Sequence, residues 1–137
     1  MADRIRMYFA LLSTEASLSA ISAVVGREPS SFAPIGEPIG KHPGAIPRKR
    51  SIWRIESGLP DSATIEEHFD ALLALLEEHS SGVRESARKF DGCINCYFRM
   101  ETATPGFHLS REQIARTAAL GLPIDFDFYA FPPDDES

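Results

Sequence analysis

The chain has 137 residues, which fits a single domain and is enough to bury a core without disulfides or metal ions. Its hydrophobic share of 43% and charged share of 25% match those of globular proteins and exclude wholesale disorder. The formal net charge of −6 argues against generic binding to nucleic acids or anionic membranes, which a positive field would favour. We therefore expect one domain over residues 1–137 whose partner is a protein, not a membrane or a nucleic acid.

The N-terminal residues show no basic start followed by an apolar core, so we expect no signal peptide. The longest apolar run extends from Ala71 to Leu76, far short of the roughly 20 residues that span a bilayer. The two cysteines, Cys93 and Cys96, are then expected to be reduced thiols. Together these features predict a cytoplasmic protein of bacterial type.

The first predicted element is a strand in which Ile5, Met7 and Phe9 alternate with polar residues. A short helix follows from about Ser17 and ends at Gly26. Residues 27–50 then form a long loop with five prolines, three glycines and a basic character. Because proline interrupts helices and central strands, we expect no helix longer than one turn within 28–49.

A short strand is predicted over residues 51–56, followed by a helix that begins at Thr64, whose pairing with Glu67 matches a capping box. The core-facing stripe of this helix is Ile65, Phe69, Leu72, Leu73 and Leu76. Ser80-Ser81-Gly82 is expected to interrupt the helix, and a second short helical piece is expected after it.

The next predicted strand extends from Cys93 to Glu101 and leads to a helix with Ser110 as its N-cap and Gly121 after its end. The final strand is expected to direct Ile124, Phe126 and Phe128 into the core, and the acidic tail 132–137 is expected to be frayed. Every predicted strand except that over residues 51–56 alternates apolar with polar residues, which indicates helices on one face of the sheet only. The sequence predicts an α/β (α+β) fold: a two-layer sandwich in which helices pack on one face of a four- to five-stranded mixed sheet.

Several short motifs occur in a definite order along nearly the whole chain: Gly26-x-Glu28-Pro29, Gly36-Glu37-Pro38, Trp53, His68 with Leu72-Leu73, Phe107-x-Leu109-Ser110, and Ile124 to Tyr129. With this element order, the chain resembles the bacterial family catalogued as domain of unknown function 4279. The resemblance supports the fold and implies no activity, cofactor or catalytic residue.

No residue pattern predicts a catalytic, metal or cofactor site. Cys93 and Cys96 have the spacing of a zinc or redox half-site, but residues three apart on a strand point to opposite faces. Asp125 and Asp127 form a parallel carboxylate pair about 7 Å apart on a strand. An enzyme acting on a small substrate would use one of these aspartates as acid or base, with basic loop residues such as Arg48 or Arg50 clamping an anion.

All three tyrosines fall on the polar side of a predicted strand. Charged residues share that side, which gives the candidate binding set Tyr8, Tyr97, Tyr129, Arg6, Arg99, Asp125 and Asp127. Tyrosine and arginine are enriched in interface hot spots. The alternative is that these residues are cross-strand pairs on a solvated sheet. If the set forms one patch, we expect the face to be open or buried against a second copy in a homodimer.

The long loop is a second candidate surface, because Lys41, Arg48 and Arg50 lie in an otherwise acidic chain. It is either a solvated basic run or a flap for an acidic or phosphate-bearing partner. Trp53, directly after the loop, is interpreted as a core anchor in preference to a ligand platform. The leading hypothesis is a non-catalytic binding protein of regulatory or immunity type, and the alternative is the small-substrate enzyme.

Overall fold

A computed structural model describes residues 4–100 and 106–130 of the chain. The predicted fraying of residues 132–137 concerns positions outside these ranges. In chain order, the elements are β1 Arg4–Ser13, α1 Leu18–Val25, β2 Ser31–Ala33, β3 Ser51–Glu56, α2 Ile65–Glu77, α3 Ser80–Lys89, β4 Asp91–Met100, α4 Arg111–Ala119 and β5 Ile124–Ala130.

The five strands form one mixed sheet in the order β2-β3-β1-β4-β5. The central strand β1 pairs antiparallel with β3 and β4, whereas β4 and β5 are parallel and are joined through α4. A parallel pair requires such a crossover, since a tight hairpin can join only antiparallel strands. This architecture confirms the predicted α+β sandwich.

The core lies between the sheet and the helices. Alternate residues of β1, β3 and β4 are fully buried, as is the predicted stripe of α2. Trp53 is completely buried in β3, where its indole N–H donates to Ser22 Oγ at 3.1 Å and its ring meets Phe9 edge-on. The interpretation of Trp53 as a core anchor is confirmed.

The helix boundaries depend on local capping. Thr64 and Glu67 form both bonds of a capping box at the start of α2, and Ser110 and Gln113 do the same for α4. Gly26 ends α1 with a φ of 95°, a conformation that costs glycine no steric strain. These predicted caps are confirmed, and each of the two N-caps contributes about 1 kcal/mol.

The predicted break at Ser80-Ser81-Gly82 is wrong in position. Helix α2 ends at Glu77, and these three residues form the first turn of α3. A Cβ at position 82 would lie 2.0 Å from the carbonyl oxygen of Val25. The glycine is therefore needed for the close approach of α1 to α3 and does not terminate a helix.

The long loop contains no helix between residues 28 and 49, as predicted, but it does contain the short strand β2. Phe32 of β2 lies opposite Trp53 of β3. The proline pattern excluded a central strand but left room for this strand of three residues at the edge of the sheet.

The predicted inward orientation of Phe126 and Phe128 is confirmed, but neither side chain is buried. Both lie on the helix side of β5, yet they are 37% and 49% exposed, because β5 is an edge strand and the helices pack chiefly over β1 and β4. Phe128 stacks on the buried Phe98, with ring centroids 4.7 Å apart, and Phe107 covers part of Phe126. Ile124 is partly buried against the core, whereas Phe126 and Phe128 contact it at the ring of Phe98.

Candidate binding surface on the open sheet face

The register of the strands brings the predicted tyrosine set together on the side of the sheet away from the helices. Tyr97 of β4 lies between Arg6 of β1 and Asp127 of β5. In the next row toward one end of the sheet, Arg99 lies between Arg4 and Tyr129.

In the row on the other side of Tyr97, Tyr8 lies between Glu56 of β3 and Asn95 of β4, and Asn95 in turn lies opposite Asp125 of β5. Arg54 of β3 also lies on this face, because it alternates with the buried Trp53. We call this surface the tyrosine face, consisting of Arg4, Arg6, Tyr8, Arg54, Glu56, Asn95, Tyr97, Arg99, Asp125, Asp127 and Tyr129.

Ring contacts connect the aromatic residues of the face to its charges. The rings of Tyr97 and Tyr129 are 5.2 Å apart between centroids, tilted by 35°, and Tyr129 is 47% exposed. The guanidinium of Arg54 lies 4.6 Å from the centroid of the Tyr8 ring, a cation–π distance. Burial raises the pKa of the Tyr8 phenol further above neutral pH, so its hydroxyl is protonated and can donate a hydrogen bond.

Polar contacts fix several of these side chains. Arg6 donates to Glu56 at 2.7 Å, and this hydrogen bond raises the pKa of the Arg6 guanidinium. The amide of Asn95 donates to Asp127 at 3.1 Å. Because both contacts cross between strands, they hold the side chains in place, which lowers the entropy lost when a partner binds.

Arg54, Glu56 and Asn95 belong to the face but are absent from the predicted candidate set. The first two were missed because the segment 51–56 was not recognised as an alternating strand. The signal was present in the sequence, since Trp53-Arg54-Ile55-Glu56 alternates apolar with charged residues. An assignment of these four residues to an alternating strand would have found Arg54 and Glu56.

The two cysteines occupy opposite sides of β4, as predicted. Cys96 is buried in the core, Cys93 lies on the tyrosine-face side, and both are free thiols. Burial raises the pKa of each thiol to about 12, and the carboxylate of Asp125 contributes to the shift of Cys93. Because nucleophilic attack requires the thiolate, neither cysteine is primed for catalysis at neutral pH.

The residues of the alternative enzymatic site lie apart. Asp125 and Asp127 are on β5, at one edge of the sheet, and the long loop precedes β3 near the other edge. Arg50 forms an ion pair with Asp91, at the beginning of β4, with an N–O distance of 2.9 Å. Within residues 4–100 and 106–130, no three His, Cys, Asp or Glu side chains are grouped to hold a metal ion.

The loop itself forms an ordered projection, which we call the hairpin arm and define as residues 34–50. Its two sides are joined by backbone N–H to carbonyl bonds from Gly36 to Arg48 (2.8 Å), Arg48 to Glu37 (2.8 Å) and Ile39 to Ile46 (2.9 Å). Its base is fixed by a bond from Ile35 N–H to Ser51 Oγ at 3.0 Å. The arm presents Lys41, Arg48 and Lys49.

Two surface depressions lie elsewhere. One of about 660 Å³ runs along α1 from Ser17 to Glu28, and one of about 480 Å³ lies between the end of β1 and Phe90. Neither is lined by a residue of the tyrosine face. In the described part of the chain, no helix is long and apolar enough to cross a membrane.

One of the four histidines is buried. His68 of α2 is 1% exposed, and its Nδ1 lies 2.6 Å from the Ser57 hydroxyl. Burial lowers the pKa of His68, against smaller opposing effects from the Pro60 carbonyl and Asp61. A folded-state pKa below that of the unfolded chain means that protonation favours unfolding.

We expect stability to fall as the pH decreases below about 6.5, the ordinary histidine pKa, and to level off once His68 is protonated in the folded state. Urea unfolding at pH 7.5 and 5.5 measures this loss. The variant His68→Gln keeps a polar partner for Ser57 but does not titrate, so its loss should be smaller. Equal losses in the two proteins would show that His68 is not responsible.

Comparison with known proteins gives a family but no function. The model of the family described as "Domain of unknown function (DUF4279)" matches residues 3–131. No curated protein and no solved structure matches the chain. The element order, the strand register and this match over nearly the whole length agree, and the chain belongs to the DUF4279 family.

Proposed function

We propose that this protein is a non-catalytic binding protein that recognises another protein through the tyrosine face. The observation that carries the proposal is the contact between Tyr97 and Tyr129, in rows that also contain Arg6 and Arg99, on the side of the sheet away from the helices. Tyrosine supplies a large contact area with little loss of conformational entropy, and arginine adds directional hydrogen bonds.

The competing explanation is that the same residues only stabilise a solvated sheet. Cross-strand pairs contribute about 0.2–1 kcal/mol each, which is enough to maintain them without a partner. The two explanations make different predictions for Tyr97→Ala: a binding residue affects affinity strongly and stability weakly, whereas a purely structural pair affects stability alone.

The proposed partner is a protein of the bacterial cytoplasm that this chain regulates or neutralises. The two free thiols fit a reducing compartment. The mixed charge of the face, with four arginines and three carboxylates, suits a partner surface of similarly mixed charge. A second copy of the chain could present such a surface, so the binding experiment must distinguish a homodimer from a complex with another protein.

The test begins with a photo-crosslinking amino acid in place of Tyr129, and in place of Phe107 as a control of similar exposure on the helix side. Mass spectrometry of the crosslinked species shows whether it contains a second copy or a different protein. The proposal expects crosslinks from position 129 and few from position 107. Crosslinks from position 107 alone would contradict it.

The affinity for the captured partner is then measured with purified proteins. We expect Tyr97→Ala to weaken binding by roughly 30-fold, as hot-spot residues do, and Arg6→Glu to weaken it as well. Arg111→Glu, an exposed charge reversal on α4, should have no effect. Unchanged affinity in both face variants, with unfolding free energies close to wild type, would refute the proposal.

A further inference from the structure

The hairpin arm exposes apolar side chains on an ordered backbone. Ile35, Ile39 and Ile46 are 49%, 49% and 66% exposed. Ile39 and Ile46 are joined directly by a backbone bond, so they lie opposite each other across the arm. Exposed apolar side chains that lie close together, such as Ile39 and Ile46, are typical of surfaces that a partner covers.

The charge of the arm is opposite to that of the rest of the chain. Residues 34–50 contain four basic side chains and one carboxylate, a formal charge of +3. Since the whole chain carries −6, the remaining residues carry −9. The acidic remainder of the chain would repel a nucleic acid or an anionic membrane. The better binding partner for the arm is therefore a protein surface that is acidic and carries apolar side chains.

Such a surface is present on the chain itself, along the outer side of α2. With its C-cap residue, this helix carries five carboxylates and no lysine or arginine: Glu66, Glu67, Asp70, Glu77 and Glu78. Between them lie the exposed Ala74 and the partly exposed Ala71 and Leu75. Arg116 of α4 binds Glu77 at 2.7 Å and lies 3.5 Å from Asp70, to which Gln113 also donates, so α4 neutralises part of this charge at these two carboxylates.

The tyrosine face is less suited than α2 to bind the basic arm, because its four arginines outnumber its three carboxylates. We propose that the hairpin arm of one copy of the chain docks on the outer side of α2 of a second copy. Lys41, Arg48 and Lys49 would face the carboxylates of α2, and Ile39 and Ile46 would cover its alanines and Leu75. This contact uses neither face of the sheet and is independent of the proposed function.

Sedimentation velocity of the full chain between about 1 µM and about 500 µM tests the proposal. We expect the mass to rise above that of a monomer with concentration, and to rise less in 0.5 M than in 0.05 M NaCl because salt screens the charge pairs. Ile46→Asp should weaken association by at least about tenfold. Leu18→Asp, at an exposed apolar residue of α1, is the matched control and should associate like the wild type.

A charge exchange then tests the two surfaces together. The arm variant Lys41→Glu/Lys49→Glu and the helix variant Ala74→Lys/Glu78→Lys should each associate at least about tenfold more weakly than the wild type. Their mixture should recover association, because each variant surface meets an opposite charge. All these positions are exposed, and circular dichroism with urea unfolding verifies that each variant is folded.

Three results would overturn the proposal: a wild-type chain that is monomeric over the whole range, an Ile46→Asp variant that associates normally, or a mixture that does not recover. Tyr97→Ala should leave this self-association unchanged. Loss of self-association in Tyr97→Ala, with normal behaviour of the arm variants, would instead place the contact between copies on the tyrosine face.

Discussion

Replacing Trp53 with alanine is expected to lower the free energy of unfolding by about 4 kcal/mol, the upper part of the range for a fully buried aromatic side chain. The ring is completely inaccessible, contacts Phe9 edge-on and donates its indole N–H to Ser22. The variant loses this packing and leaves a cavity at the centre of β3. Urea unfolding monitored by circular dichroism gives the value.

Two further variants separate packing from hydrogen bonding at this position. Trp53→Phe keeps an aromatic ring and should lose less stability than Trp53→Ala. Ser22→Ala keeps the indole but removes its acceptor, which should cost about 1 kcal/mol or somewhat more. If Trp53→Ala lowers the free energy of unfolding by less than about 2 kcal/mol, the change is too small for a core anchor. The result would then favour the interpretation of Trp53 as a ligand platform.

Replacing Gly82 with alanine is expected to destabilise the protein by about 3 kcal/mol, since overpacking against backbone atoms cannot be relieved by a rotamer change. The added Cβ would lie 2.0 Å from the Val25 oxygen and 2.6 Å from its carbonyl carbon. Helices α1 and α3 would have to separate. Helix propensity alone predicts the opposite sign, because alanine is favoured over glycine in a helix by about 1 kcal/mol.

Ser81→Ala is the matched control for Gly82→Ala. Position 81 is exposed in the same turn of α3, so the substitution changes propensity without adding a contact to α1. Thermal unfolding should show a large decrease in Tm for Gly82→Ala and little change for Ser81→Ala. A Gly82→Ala variant as stable as the wild type would mean that α1 and α3 lie farther apart than the structure places them.

The two proposed surfaces also differ in how they depend on the fold. The tyrosine face is assembled from four strands, so a variant that disturbs strand pairing would affect it. The hairpin arm is joined mainly by its own backbone bonds and is attached near Ser51. Binding measurements on stability variants such as Trp53→Ala should therefore be compared only under conditions in which the variant is fully folded.

The amino-acid sequence alone determined the features that depend on residues close to one another along the chain. The capping boxes of α2 and α4 involve side chains three residues apart, and Gly26 ends α1 through its own backbone conformation. The alternation of β1, β4 and β5 assigned each tyrosine to the side of the sheet away from the helices, because successive residues of a strand point to opposite faces. The opposite orientations of Cys93 and Cys96 follow from the same rule.

Only the tertiary structure decided which strands are neighbours, and therefore that Tyr97 lies beside Tyr129 and in one row with Arg6. It also decided that β5 is an edge strand, which leaves Phe128 half exposed despite its apolar position in the alternation. The role of Gly82 depends on a helix more than 50 residues earlier in the chain. These contacts join residues far apart in sequence, so no local sequence pattern predicts them.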